Sequence, residues 1–107
     1  MQAGRELDAK IAELVNGWSS EYTEHLKKND GWILIPHYST TWNGMERLLE
    51  EVKNNYPLFE LVWNTRHEQW MCDFNGKGIG EYETYTHAKT APLVVCLAYL
   101  KVNTRGN

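Results

Sequence analysis

Apolar residues recur at Leu7, Ile11, Leu14, Val15 and Trp18, with Asp8, Lys10 and Glu13 outside the stripe. This spacing predicts an amphipathic helix over residues 5–18, weakened at its end by Gly17 and Ser19-Ser20. The same period returns at Trp42, Met45, Leu48, Leu49 and Val52 and predicts a second helix over residues 40–54. Asn54-Asn55 and Pro57 close it. Residues 19–37 lie between these helices without a clear period. There, residues 21–26 suit a helical turn, residues 27–31 a chain reversal, and Trp32-Ile33-Leu34-Ile35 either an edge strand or a buried loop ended by Pro36.

From residue 58 the period drops to two. Phe59, Leu61 and Trp63 alternate with Leu58, Glu60 and Val62, apolar on both faces as in a central strand. Residues 64–68 read as a hairpin loop. Trp70, Cys72 and Phe74 then alternate with Met71 and Asp73, a half-buried strand. Asn75-Gly76-Lys77-Gly78 is a turn signal, and residues 79–87 give a third strand. Thr90-Ala91-Pro92 opens a last helix, with Thr90 as cap and Pro92 where its missing N–H costs little. Its inward stripe reads Leu93, Cys96, Leu97 and Leu100. The expectation is one domain over residues 1–107, an α+β fold of order α-α-β-β-β-α with an antiparallel three-stranded sheet packed by helices.

The stretch from Ile35 to Trp42 bears most on function. Pro36 favours an extended approach, and Ser39 or Thr40 then caps the second helix. A helix start with free N–H groups, several hydroxyls, and His37 and Tyr38 beside it suits an anion. Lys89 and Thr90, near His87, repeat that arrangement at the last helix. Tyr38, Ser39, Thr40, Trp42, Lys89 and Thr90 are therefore the candidate ligand-binding residues, although ordinary capping explains the hydroxyls equally well. Gly44 costs about 1 kcal/mol relative to Ala inside a helix. It reads as either a point of close approach or a neutral choice, and the neutral choice is favoured.

Composition narrows the partners. The net charge of −3 argues against a polyanion as ligand. The strand and helix order matches a double-stranded-RNA-binding domain, but that fold grips phosphates with several lysines where this chain has Lys89 alone. Thirteen aromatic rings exceed what one sheet face and three helices cover, which predicts a homo-oligomer. Cys72 and Cys96 fall outside any Cys-x-x-Cys pattern and are expected to be reduced and buried in a cytoplasmic protein. No apolar run approaches a membrane span. His25, His37, His67 and His87 lack metal-ligand spacing, and no nucleophile–base set appears, so neither catalysis nor a cofactor is expected.

Three blocks carry a resemblance to a known family. They are Leu7-Asp8-x-x-Ile11-Ala12-x-x-Val15-x-Gly17-Trp18, then Pro36-x-Tyr38-Ser39-Thr40, then Thr90-Ala91-Pro92-Leu93-x-x-Cys96-x-Ala98-x-Leu100. Together they resemble the small phage ABA sandwich domain proteins, with Lys89 standing where that family commonly has an acidic residue. Some similar phage proteins act as sponges for immune nucleotide signals. The resemblance implies that role here: sequestering a cyclic oligonucleotide or a cyclic ADP-ribose isomer in the host cytoplasm without cleaving it. It also implies that Trp18 belongs with Tyr38, Ser39, Thr40 and Thr90. A phage interaction protein that binds a polypeptide is the alternative.

Overall fold

The computed structural model describes residues 1–17, 25–28, 31–74 and 85–104. Helix α1 spans Arg5–Asn16, β1 His25–Lys28, β2 Gly31–Leu34 and α2 Trp42–Val52. A 3-10 turn, Lys53–Asn55, follows α2; then come β3 Glu60–Asn64, β4 Gln69–Asp73, β5 Thr86–Ala88 and α3 Ala91–Thr104. The expected α+β architecture holds: three helices and a three-stranded antiparallel sheet of order β3-β4-β5. Between α1 and α2 the chain adds an antiparallel hairpin in which His25 faces Leu34 and Lys28 faces Gly31. The helical turn suggested for residues 21–26 is thus strand from His25 onward. The expected third strand falls on residues 79–87, of which 79–84 lie outside the described residues.

Helix α1 ends at Gly17, whose φ of 73° is the left-handed cap conformation that glycine adopts freely, with its N–H bonded to Glu13 O. Helix α2 buries Met45, Leu48 and Val52, the expected stripe. Its cap, however, is Thr41, one residue beyond the expected Ser39 or Thr40. The Thr41 hydroxyl accepts from Gly44 N at 2.9 Å and donates to His37 O at 3.0 Å. Helix α3 begins as expected, with Thr90 Oγ1 accepting from Leu93 N at 3.3 Å. Its buried face differs from the expected one. Ala91, Val94, Val95, Cys96, Ala98 and Tyr99 are buried, whereas Leu93, Leu97 and Leu100 are half-buried. A helix this apolar is covered on several sides, by β4 and β5 and by α1 and α2.

Strand β4 is the central strand, and β3, expected there, lies at the sheet edge. The apolar residues on both faces of β3 misled the reading: Val62 and Trp63 are 40% and 45% exposed. The core receives Cys72 from β4 and Phe74 from just beyond its end. Phe74 packs against Tyr56, Phe59 and Tyr99 at ring separations of 5.2, 4.8 and 5.7 Å. Offset and edge-on ring pairs of this kind add stability beyond their buried area.

Cys72 and Cys96 are both free and fully buried. Burial pushes both thiols up, helped by the Asp73 carboxylate near Cys72 and that of Asp8 near Cys96. The folded chain therefore holds these protons at pH values where the unfolded chain releases them. Their contribution to stability is full below the ordinary thiol range and falls as pH rises through it. Urea midpoints are expected to drop from about pH 8.5 upward, where unfolded thiols ionise. Cys96→Ala should make the drop shallower. A second expectation concerns Gly44, where an added Cβ would overlap the His37 carbonyl group and Tyr38 N. Close approach, and not neutrality, explains this glycine. Gly44→Ala should lose about 1–3 kcal/mol by urea unfolding despite better helix propensity.

Candidate functional site

Asp8 was expected on the outer face of α1 and is instead fully buried. Its Oδ1 accepts from Ser39 N at 2.8 Å and from Ser39 Oγ at 2.7 Å. Its Oδ2 accepts from Arg5 Nη1 at 2.9 Å. Arg5 continues across to the incoming loop, donating to Ile35 O at 2.8 Å and Pro36 O at 3.4 Å. Ser39 Oγ also accepts from Gly4 N at 2.9 Å, which serves an N–H at the helix start that no cap side chain reaches. A buried carboxylate persists when paired and hydrogen-bonded, and this one has both kinds of partner.

Residues 35–38 are thereby pinned against α1 on one side and α2 on the other. Thr41 N and its hydroxyl both bond His37 O, and that backbone passes so close to Gly44 that a Cβ there would overlap it. What remains open is a groove of about 550 Å³ lined by Arg5, Leu34, Ile35, Pro36, His37 and Arg47. Its lining thus combines two arginines and a histidine with three apolar residues. Arg47 is 63% exposed and bonds Glu51 Oε1 through Nε at 3.3 Å. Its terminal nitrogens have no partner among the described residues. The volume lies within the range of small-molecule sites.

The sequence-based candidates divide. Tyr38 is 1% exposed and its hydroxyl donates to Glu51 Oε1 at 3.2 Å. Burial and the Glu51 charge push its phenol above the ordinary range, so it stays a protonated donor. Its ring faces the interior and cannot stack on a base, and the Ser39 hydroxyl is fully used inside. In this structure both residues are turned inward and hold the loop. Thr40, Trp42, Lys89 and Thr90 are exposed but do not line the groove. Trp18 lies outside the described residues. Arg5 and Arg47, the groove's guanidiniums, were not singled out from the sequence, because each looks like one more charge on a solvated helix face.

A second surface feature is aromatic. Trp70 packs edge-on with Trp42 at 5.8 Å and Trp63 at 5.5 Å, and both of these partners are exposed, Trp42 by 58%. Among the described residues no group of three His, Cys, Asp or Glu is arranged to hold a metal ion. No helix there is long and apolar enough to cross a membrane.

The Asp8 cluster sets an order of stabilities. Asp8→Ala strands the Arg5 charge and two Ser39 donors and should cost about 3 kcal/mol or more. Thr40→Ala, at an exposed site, should stay within about 0.5 kcal/mol of the parent. Urea unfolding of the two variants checks both.

No family model matches the chain, and no curated protein matches its sequence. Among solved structures, a phage protein from Bacillus cereus superposes with a TM-score of 0.70 at 17% identity, over 100% of this chain and 93% of that one. The chain shares its fold with that phage protein.

Proposed function

We propose that this chain is a phage protein that works by binding, without turnover, and that its ligand is an anionic nucleotide signal held in the Arg5–His37–Arg47 groove. One observation carries the reading: Arg5, His37 and Arg47 line a groove of about 550 Å³ together with the apolar residues Leu34, Ile35 and Pro36. Guanidiniums suit phosphate through paired N–H donors, and the apolar lining suits the flat face of a base or the ribose edge. The likeness to the ABA sandwich family points to a sponge in the host cytoplasm, for a cyclic oligonucleotide or a cyclic ADP-ribose isomer. The site proposed here replaces the helix start at Ser39 with its neighbour, some residues of which come from α1 and α2. A second reading, a polypeptide-binding phage protein, draws on the exposed Trp42 and Trp63.

Incubation with cyclic dinucleotides, cyclic trinucleotides and cyclic ADP-ribose isomers, followed by heat denaturation, separates these. The expected result is depletion of one ligand and its intact release by heat. Altered ligand would make the chain an enzyme, and no depletion would leave the polypeptide reading. Arg47→Glu reverses the charge of an exposed side chain and should weaken the depleted ligand about tenfold or more, the worth of one charge-assisted hydrogen bond. Its melting temperature should remain near that of the parent.

A further inference from the structure

We infer that β3 is the contact strand of a homodimer, pairing antiparallel with β3 of a second copy about a two-fold axis at Val62. Strand β3 ends the sheet, and no strand borders its outer side among the described residues. Its side chains behave accordingly, with Val62 and Trp63 exposed on opposite faces and Leu58, just before it, 63% exposed. Edge strands that stay single are shielded by charged side chains, proline, a bulge or a covering element. Glu60-Leu61-Val62-Trp63-Asn64 contains no proline and a single charge, Glu60 at its start, whose Oε2 accepts from the Tyr85 hydroxyl at 3.3 Å, and its register against β4 runs unbroken from Glu60–Asp73 to Asn64–Gln69.

The strand is complementary to itself. A two-fold axis at Val62 sets Val62 opposite its own copy, Leu61 opposite Trp63, and Glu60 opposite Asn64. Every residue of the strand is then paired. The single charge falls beside an amide and not beside its own copy, avoiding the like-charge opposition that destabilises paired strands. On the helix-facing side, Leu61 of the partner subunit covers Trp63 and extends the Trp42–Trp70–Trp63 layer. On the other face the two Val62 side chains cover each other. Centring the axis one residue either way leaves an end of the strand unpaired. An isologous contact of this kind closes at two copies and joins two three-stranded sheets into one of six. None of the strand's residues lines the Arg5–His37–Arg47 groove, so the two proposals stand or fall separately.

Light scattering on the full chain at micromolar concentration should give about twice the 12.5 kDa of one chain. Val62→Lys places two ammonium groups face to face and should give a single-chain mass with an unchanged circular dichroism spectrum. Val62→Cys brings two thiols together at the axis and should yield a disulfide-linked dimer under mild oxidation, the native cysteines being buried. A single-chain mass for the parent would overturn the inference and leave the edge to an extended segment of another protein. A dimer that survives Val62→Lys while Val62→Cys fails to link would overturn it equally, placing the contact on another face.

Discussion

The fold hangs on a carboxylate with no access to solvent. Asp8 binds the backbone and hydroxyl of Ser39 with one oxygen and the Arg5 guanidinium with the other, and Arg5 reaches on to two carbonyls of the loop. Apart from the Arg5–Asp8 pair within α1, these bonds join residues about thirty positions apart, so they fix how α1 meets the segment entering α2. Removing such a charge from water is costly, and the cost is offset only where every lone pair is met by a well-placed donor. Asp8 has three such donors, two on Oδ1 and the Arg5 guanidinium on Oδ2. Ser39 is drawn inward as a result, Tyr38 follows it into the core, and His37 and Pro36 are left at the surface.

This arrangement also shapes the opening of α2, one of whose donors is taken by its own cap. A helix start attracts anions when its N–H groups are free. Here the Thr41 hydroxyl occupies Gly44 N, and the hydroxyls upstream are turned toward α1 or exposed in the turn. The positive character of this region comes from side chains instead. Arg5 and Arg47 belong to different helices and both line the groove beside the loop whose course Asp8 sets.

Much of the architecture was legible because it rests on local periodicity. The stripe Met45, Leu48, Val52, the Thr90 cap and the alternation Trp70, Cys72, Phe74 each follow from near neighbours. The rest depends on partners remote in sequence. Asp8 lies in phase with Ile11, Ala12 and Val15, a signal present in the sequence, but a charged residue reads as outward until Ser39 and Arg5 are seen beside it. The hairpin of β1 and β2 has strands of four residues each, too short for alternation to declare itself. Strand β3 read as central because apolar residues on both faces usually mean burial on both faces, whereas here they accompany an edge. Trp42 looked like the first member of a buried stripe, yet it sits at the helix tip, where the core no longer covers it.

Arg5 serves two masters, and this divides the labour of adaptation within the groove. The guanidinium that would meet a ligand's phosphate is the same one that neutralises Asp8, so any change at position 5 perturbs the packing of α1 together with recognition. The side chains of His37 and Arg47 are exposed; Arg47 also bonds Glu51 Oε1, the atom that accepts the Tyr38 hydroxyl, whereas the loop around His37 is held through its backbone carbonyl. On the proposed function, a change of ligand would leave position 37 the freest of the three to vary, with 47 tied to Glu51 and 5 anchored through Asp8.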